Sequence, residues 1–214
     1  MIGILGGTFD PVHYGHLRPA LEVQQALGLD EIRCIPSHVP PHRSQPEATA
    51  QQRLTMLQAA VVADAAFTID TRDFEREGPS YTLDTLVSLR EELGATGLCL
   101  LIGMDAFRGF TSWHRWREII EYAHIVVMTR PGAPPPAEGE LADFIALHRV
   151  TEADALKGRA SGLIFYQPVS QLDISGTQIR KLLASGQRAD YLLPAPVLEF
   201  IRSEGLYATG TQHD

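Results

Sequence analysis

Six short apolar runs alternate with longer stretches of helical periodicity, and this alternation restricts the fold more than any other property of the chain. The runs lie at 1–5, 31–36, 67–70, 97–102, 124–129 and 163–166, and the helical stretches at about 16–27, 50–64, 82–93, 113–121 and 138–147. Each run is apolar at consecutive positions, as in strands covered on both faces. The pattern predicts an α/β fold: a doubly wound, mostly parallel sheet with helices on both faces. Such sheets bind ligands outside the carboxyl ends of their strands. Gly6-Gly7, Pro36-Ser37, Gly103 and Arg130 each follow the end of a run, so a site is expected where they meet.

With 214 residues, 44% of them hydrophobic, the chain has enough apolar material for one ordinary core. A single domain over 1–207 is expected, with a helical C-terminal part at about 174–207 and a flexible tail at 208–214. Two helical pieces are expected there, at about 176–185 and 196–203, punctuated by Pro194 and Pro196 and stopped by Gly205. The segment Pro131–Pro136 reads as a surface loop. No apolar run reaches membrane-spanning length, and no basic, apolar leader opens the chain, so a cytoplasmic protein without a membrane partner is expected. Cys34 and Cys99 fall inside apolar runs and read as buried free thiols. A net charge of −8 argues against a nucleic-acid partner. A polyanionic small molecule would instead need a few placed donors.

Two segments supply such donors. The first run leads into Gly6-Gly7-Thr8-Phe9-Asp10-Pro11-Val12-His13-Tyr14-Gly15-His16. Here a strand ends in a glycine pair, and a helix opens with two histidines three apart. Glycines let backbone N–H groups approach a ligand, and a helix start offers unpaired N–H groups and the positive end of a dipole. Histidines at i and i+3 share one helix face. The combination is a phosphate pocket. It is neither the G-x-G-x-x-G fingerprint nor a P-loop, since neither spacing occurs. Asp10 reads as a cap on the turn into the helix. The second segment is Ile174-Ser175-Gly176-Thr177-Gln178-Ile179-Arg180. Hydroxyls and a glycine at a helix start form an N-cap and an anion site, and Arg180 stands one turn further along as a charged fork.

The first segment resembles the (T/H)-x-G-H signature of the nucleotidyltransferase superfamily, and the second its I-S-S-T-x-I-R motif, with Gly176 in place of the second serine. Further blocks are similar to those of the bacterial nicotinate mononucleotide adenylyltransferases. They are Pro36-Ser37-His38-Val39-Pro40-Pro41-His42-Arg43, Gly78-Pro79-Ser80-Tyr81-Thr82-Leu83-Asp84-Thr85-Leu86, Ile102-Gly103-Met104-Asp105 with Trp113, Arg130-Pro131-Gly132, and Val197 to Tyr207. They run in order along nearly the whole chain.

The resemblance implies a Rossmann-like nucleotidyltransferase fold and a reaction. ATP and nicotinate mononucleotide would give deamido-NAD and pyrophosphate, with Mg²⁺ held through the ATP phosphates and few or no direct protein ligands to it. The acceptor phosphate is already anionic, so the protein would align two anions and stabilise charge on the α-phosphate and the leaving pyrophosphate. His13, His16 and Arg180 are the implied catalytic residues: His16 near the α/β-phosphates, His13 near the β/γ end, Arg180 on the β- and γ-phosphates. Gly6, Gly7, Thr8, Phe9, Gly15, Gly103, Asp105, Ser175 and Thr177 would line the ATP site, with Asp105 on the ribose. Tyr81, Thr82, Trp113 and His114 would hold the mononucleotide, Trp113 stacking on its pyridine ring. Backbone N–H groups near Thr82 and His114 would face the carboxylate and thereby disfavour the carboxamide. Arg43 and Arg130 would hold its phosphate.

Adenylyl transfer to nicotinamide mononucleotide or phosphopantetheine, a nucleotide sensor on the same fold and a purely structural assembly protein are the alternatives. The assembly state is left as monomer or homodimer. His124 and Trp116 read as structural, His42 as a loop residue at the site, and Arg72–Glu77 as a solvated face.

Overall fold

A computed structural model describes residues 1–40, 45–129, 134–170 and 172–208. In chain order the elements are β1 (Ile2–Gly7), α1 (Tyr14–Leu27), β2 (Glu31–Pro36), α2 (Ala50–Val61), β3 (Phe67–Ile69), α3 (Arg72–Glu75), α4 (Thr82–Leu93), β4 (Leu98–Gly103) and α5 (Met104–Arg108). There follow α6 (Ile119–Tyr122), β5 (His124–Thr129), α7 (Glu140–His148), β6 (Arg149–Val150), β7 (Ile164–Pro168), α8 (Gly176–Ala184) and α9 (Ala195–Ser203). Every strand pairing is parallel, and the sheet order is β3-β2-β1-β4-β5-β7-β6. The order reverses between β1 and β4, so the crevice expected of a doubly wound sheet opens at the carboxyl ends of these two strands. Gly7 ends the first and Gly103 the second.

Strand periodicity divides the core. Leu98, Leu100 and Ile102 of β4 pack with Ile2, Ile4 and Ile125 on one face, beneath α4, α6 and α7. Cys99 and Leu101 point the other way, into a second core built with α1, α2, α8 and α9. Both faces are therefore covered, which is why the runs show no polar alternation. Cys34 and Cys99 are fully buried free thiols.

The structure departs from the sequence reading in places. The helix expected over 113–121 is broken into 3-10 turns at Phe110–Ser112 and Trp116–Glu118 and the single helical turn α6. Arg115 adopts a left-handed conformation, φ 48°, which interrupts helical hydrogen bonding. Trp113 thus lies in an extended residue after a 3-10 turn, not at a helix start. The run from Arg72 to Glu77 is not simply a solvated face. It contains α3, and Asp73 is buried, accepting from the Thr85 hydroxyl and the Arg76 guanidinium at 2.7 Å each. The short elements α3, α5 and β6 are too brief to show a period. Among the described residues no helix is long and apolar enough to cross a membrane. His124 and Trp116 are buried, as expected of packing residues. His42, Arg43, Arg130, Pro131–Ala133 and Thr209–Asp214 lie outside the described residues.

Candidate active site

The chain leaves β1 through a tight turn. Phe9 takes a left-handed conformation, φ 51°, while its ring is almost fully buried. A non-glycine residue there costs about 1–2 kcal/mol, and burial of the ring offsets the cost. Gly7 makes room: a Cβ on it would lie 3.1 Å from the Phe9 ring. A Cβ on Gly6 or Gly103 would meet nothing within 4 Å, so backbone at both strand ends is open to close approach.

His13 is the N-cap of α1, and His16 is its third residue. Their rings stack, with centroids 3.7 Å apart and planes at 29°. Phe9 meets His16 edge-on at 5.2 Å. The backbone N–H of His13 donates to Nδ1 of His16 at 3.3 Å. That bond places the proton of a neutral His16 on Nε2. His13 is buried, and burial pushes its pKa down to about 4. It is therefore neutral at pH 7.

The two sequence motifs meet at Gly15. A Cβ there would lie 2.8 Å from the carbonyl oxygen of Ile174 and 2.9 Å from Nδ1 of His13. Only glycine lets the start of α1 approach the segment that opens α8. The glycine that departs from the family motif has a similar cause: a Cβ on Gly176 would stand 2.8 Å from the Asp10 carbonyl oxygen. That same carbonyl accepts from Nη1 of Arg180 at 2.7 Å. Ser175 caps α8, its hydroxyl oxygen accepting from the Gln178 N–H. Two helix N-termini thus converge beside a guanidinium, an arrangement that favours anions.

Asp10 is not a cap for α1. Its carboxylate accepts from the N–H groups of Glu47 and Ala48 and from the Tyr207 hydroxyl, the last at 2.6 Å. It ties the β1 turn to the segment before α2 and to the chain beyond α9. These partners are distant in sequence, so local turn chemistry could not reveal them. Arg180 also donates from Nε to the Glu47 carboxylate at 2.7 Å.

Beside these helix ends lies a cleft of ≈ 370 Å³, lined by Gly15, Pro19, Gly103, Met104, Asp105, Arg108, Met128 and Ser170 among others. The volume suits a small ligand. Pro19 has no N–H, so the Gly15 carbonyl lacks its helical donor at the cleft wall. Asp105 lies in the first turn of α5, exposed, with Arg108 3.5 Å away. Met104, Arg108 and Ser170 were not singled out by sequence. Arg108 stands one turn after Asp105, and Ser170 follows the end of β7, which is the available signal for each. Thr177 and Ser175 line a different groove, shared with Gln178, Lys181 and Ser185.

The other candidates cluster around the exit of β2. The Ser37 N–H donates to the Gly7 carbonyl at 2.9 Å, joining the two strand exits. The Ser80 hydroxyl accepts from the N–H groups of His38 and Val39. Tyr81, next in the chain, stacks on His114 at 4.3 Å. The half-buried Trp113 packs against Phe110 at 5.3 Å. Thr82 opens α4, where N–H groups have no helical acceptor.

Comparison with known proteins places this geometry in context. Residues 4–182 match the model of the cytidylyltransferase-like family. A protein of Aeromonas salmonicida called "Probable nicotinate-nucleotide adenylyltransferase" is 49% identical over 206 residues, 96% of each chain. One of the same name from Methylococcus capsulatus is 50% identical over 209 residues, 97% of this chain and all of its own. The solved structure of Plasmodium falciparum nicotinic acid mononucleotide adenylyltransferase complexed with NaAD superposes with a TM-score of 0.71 over 96% of both chains. At 16% identity this is a likeness of fold.

Proposed function

The chain belongs to the cytidylyltransferase-like family and, within it, to the nicotinate-nucleotide adenylyltransferases, and on that premise we propose how its own residues carry out the transfer. The enzyme transfers the adenylyl group of ATP to nicotinate mononucleotide, a step in NAD synthesis. A phosphate oxygen of the mononucleotide attacks the α-phosphorus, the bond from α-phosphorus to the bridging oxygen breaks, and pyrophosphate leaves with its electron pair. No proton need be removed from the nucleophile.

One observation carries this reading most directly: the N-termini of α1 and α8 converge at Gly15, beside His16 and Arg180. A triphosphate laid there meets two helix dipoles, the Nε2–H of His16 and a guanidinium. His16 donates to the α/β-phosphate region. His13, neutral and stacked on it, fixes the ring and offers at most one N–H toward the β/γ end. Arg180 holds the β- and γ-phosphates, and ATP takes the place of the Glu47 carboxylate. Adenosine occupies the cleft at Gly103, with Asp105 accepting from its ribose hydroxyls. Gly6, Gly7, Thr8 and Phe9 form the turn over the phosphates, and Ser175 and Thr177 complete the start of α8.

Nicotinate mononucleotide binds at the β2 exit. Trp113 stacks on the pyridine ring, and Tyr81 and His114 wall it. Backbone N–H groups near Thr82 and His114 donate to a carboxylate, whereas a carboxamide would set donor against donor. Arg43 and Arg130 take its phosphate.

Among the described residues no group of three or more His, Cys, Asp or Glu side chains is arranged to hold a metal. A Mg²⁺ ion carried by the phosphates of ATP and by water would offset their charge.

The test is pyrophosphate release with ATP and Mg²⁺ against three acceptors. Turnover with nicotinate mononucleotide and little with nicotinamide mononucleotide is expected. Equal turnover with both would discard the backbone-donor account of specificity. Turnover with phosphopantetheine alone would overturn the acceptor assignment.

A further inference from the structure

Arg53 is the most buried charged residue among those described, 1% exposed, and no carboxylate lies within salt-bridge distance of it there. It stands in the first turn of α2, outside every motif of the family resemblance. Its guanidinium is held by backbone. Nη1 donates to the carbonyl oxygens of Thr8 at 2.7 Å and Ser37 at 2.8 Å, and Nη2 to that of His38 at 3.1 Å. Nε has no partner.

These three carbonyls belong to the two segments that form the site. Thr8 lies in the β1 turn that leads to His13 and His16. Ser37 and His38 lie at the exit of β2, where the loop assigned to the mononucleotide begins. We infer that Arg53 is a positioning residue for the transfer, locking the phosphate turn and the acceptor loop in one register. The inference rests on the adenylyl-transfer reading.

The chemistry favours arginine for this task. A rigid planar fork spans two separate loops at once, whereas the compact ammonium of lysine on its flexible stem cannot keep that geometry. A stability role alone is a weak reason to bury such a cation, since desolvation of an unpaired charge is costly and an apolar side chain would fill the same space. The Arg53 pKa is pushed down by that desolvation, opposed by the nearby Asp10 carboxylate. A charge kept under the phosphate turn also presents positive potential to an incoming polyanion.

Arg53→Lys retains the charge and loses the fork. Two anions held out of line by as little as an ångström react about a hundredfold more slowly. At saturating ATP and nicotinate mononucleotide, well below the melting temperature, kcat per folded molecule is expected to fall at least tenfold. The KM for ATP should change by less than about threefold, because His16 and Arg180 are intact. Arg53→Gln, neutral and able to reach one loop only, should show the same fall in kcat and a higher KM for ATP. A merely structural role would lower the melting temperature and leave kcat per folded molecule unchanged. An Arg53→Lys or Arg53→Gln protein that folds and turns over within twofold of wild type overturns the inference. So does failure of both variants to fold, which would make Arg53 a folding residue. Wild type run in parallel separates the two readings. Absence of pyrophosphate release from wild type overturns the adenylyl-transfer reading and this inference together. Wild-type turnover with undiminished variants overturns this inference alone.

Discussion

The Arg180 guanidinium is bonded through Nε to the Glu47 carboxylate at 2.7 Å, a contact that spans 133 residues of chain. The pair is partly solvated, with side-chain exposures of 24% and 57%, so it adds little to stability. Its consequence lies in binding. With ATP placed as proposed, Glu47 holds a donor direction that a phosphate oxygen would need, and ATP would have to displace it. Glu47→Gln removes the competing charge. The expected outcome is a fall of about threefold in the KM for ATP with kcat unchanged, matching the fraction of a kcal/mol that such a pair contributes. Initial-rate kinetics at fixed nicotinate mononucleotide would measure it. A raised KM would mean that Glu47 orients Arg180 for ATP instead.

Gly15→Ala sets two effects against each other. Alanine is favoured over glycine within a helix by about 1 kcal/mol. The new Cβ would lie 2.8 Å from the Ile174 carbonyl oxygen, and a backbone carbonyl cannot rotate away as a side-chain tip can. Overpacking of this kind costs about 1–3 kcal/mol, so the variant is expected to be net destabilised. The larger effect is expected on activity, since relief requires α1 and α8 to part and the proposed phosphate site with them. Urea unfolding together with pyrophosphate release checks both. A variant more stable than wild type with full turnover would sink the close-approach account.

What was legible in the sequence follows from the range of each interaction. The strands were visible because both faces are covered, which leaves runs such as Leu98–Ile102 apolar throughout. The motif at His13–His16 was visible because its geometry is local, a strand end followed by a helix start. The convergence of Gly15 on Ile174 could be inferred only through family resemblance, since 159 residues separate them on about the same footing as any long-range contact. Asp10 and Arg53 were misread or missed because their partners, backbone groups of distant loops and for Asp10 also the Tyr207 hydroxyl, are far away in sequence and leave no local pattern to mark them. The stretch at 113–121 has helical periodicity, yet the left-handed Arg115 breaks it, a tertiary override of local preference.

Cys34 and Cys99 should be chemically silent in the native protein. Each is fully buried, and burial pushes each thiol up to about 12. At about pH 8 only on the order of one molecule in ten thousand carries a thiolate at either position, and thiolate is the reactive form. No reaction with an aromatic disulfide reagent is expected over about an hour in native buffer. Both thiols should react once urea unfolds the chain. Fast labelling of the folded protein would contradict the placement of these residues between the sheet and its helices.

His13 makes stability depend on pH. Its folded pKa is held down to about 4 by burial, against 6.5 for the ordinary side chain. As pH falls through 6.5 the unfolded chain takes up a proton that native His13 refuses, so the unfolded state gains. The full contribution is present above about pH 6.5 and is lost progressively down to about pH 4. The shift corresponds to about 3 kcal/mol. His124, also pushed down by burial, acts in the same direction. His13→Asn leaves His124 and every carboxylate in place, so the comparison isolates one group. Urea unfolding at about pH 4.5 and about pH 7.5 should give a stability difference about 2 kcal/mol smaller in the variant than in wild type. An equal difference would show that His13 titrates normally in the folded protein, and burial would then no longer account for its neutral form.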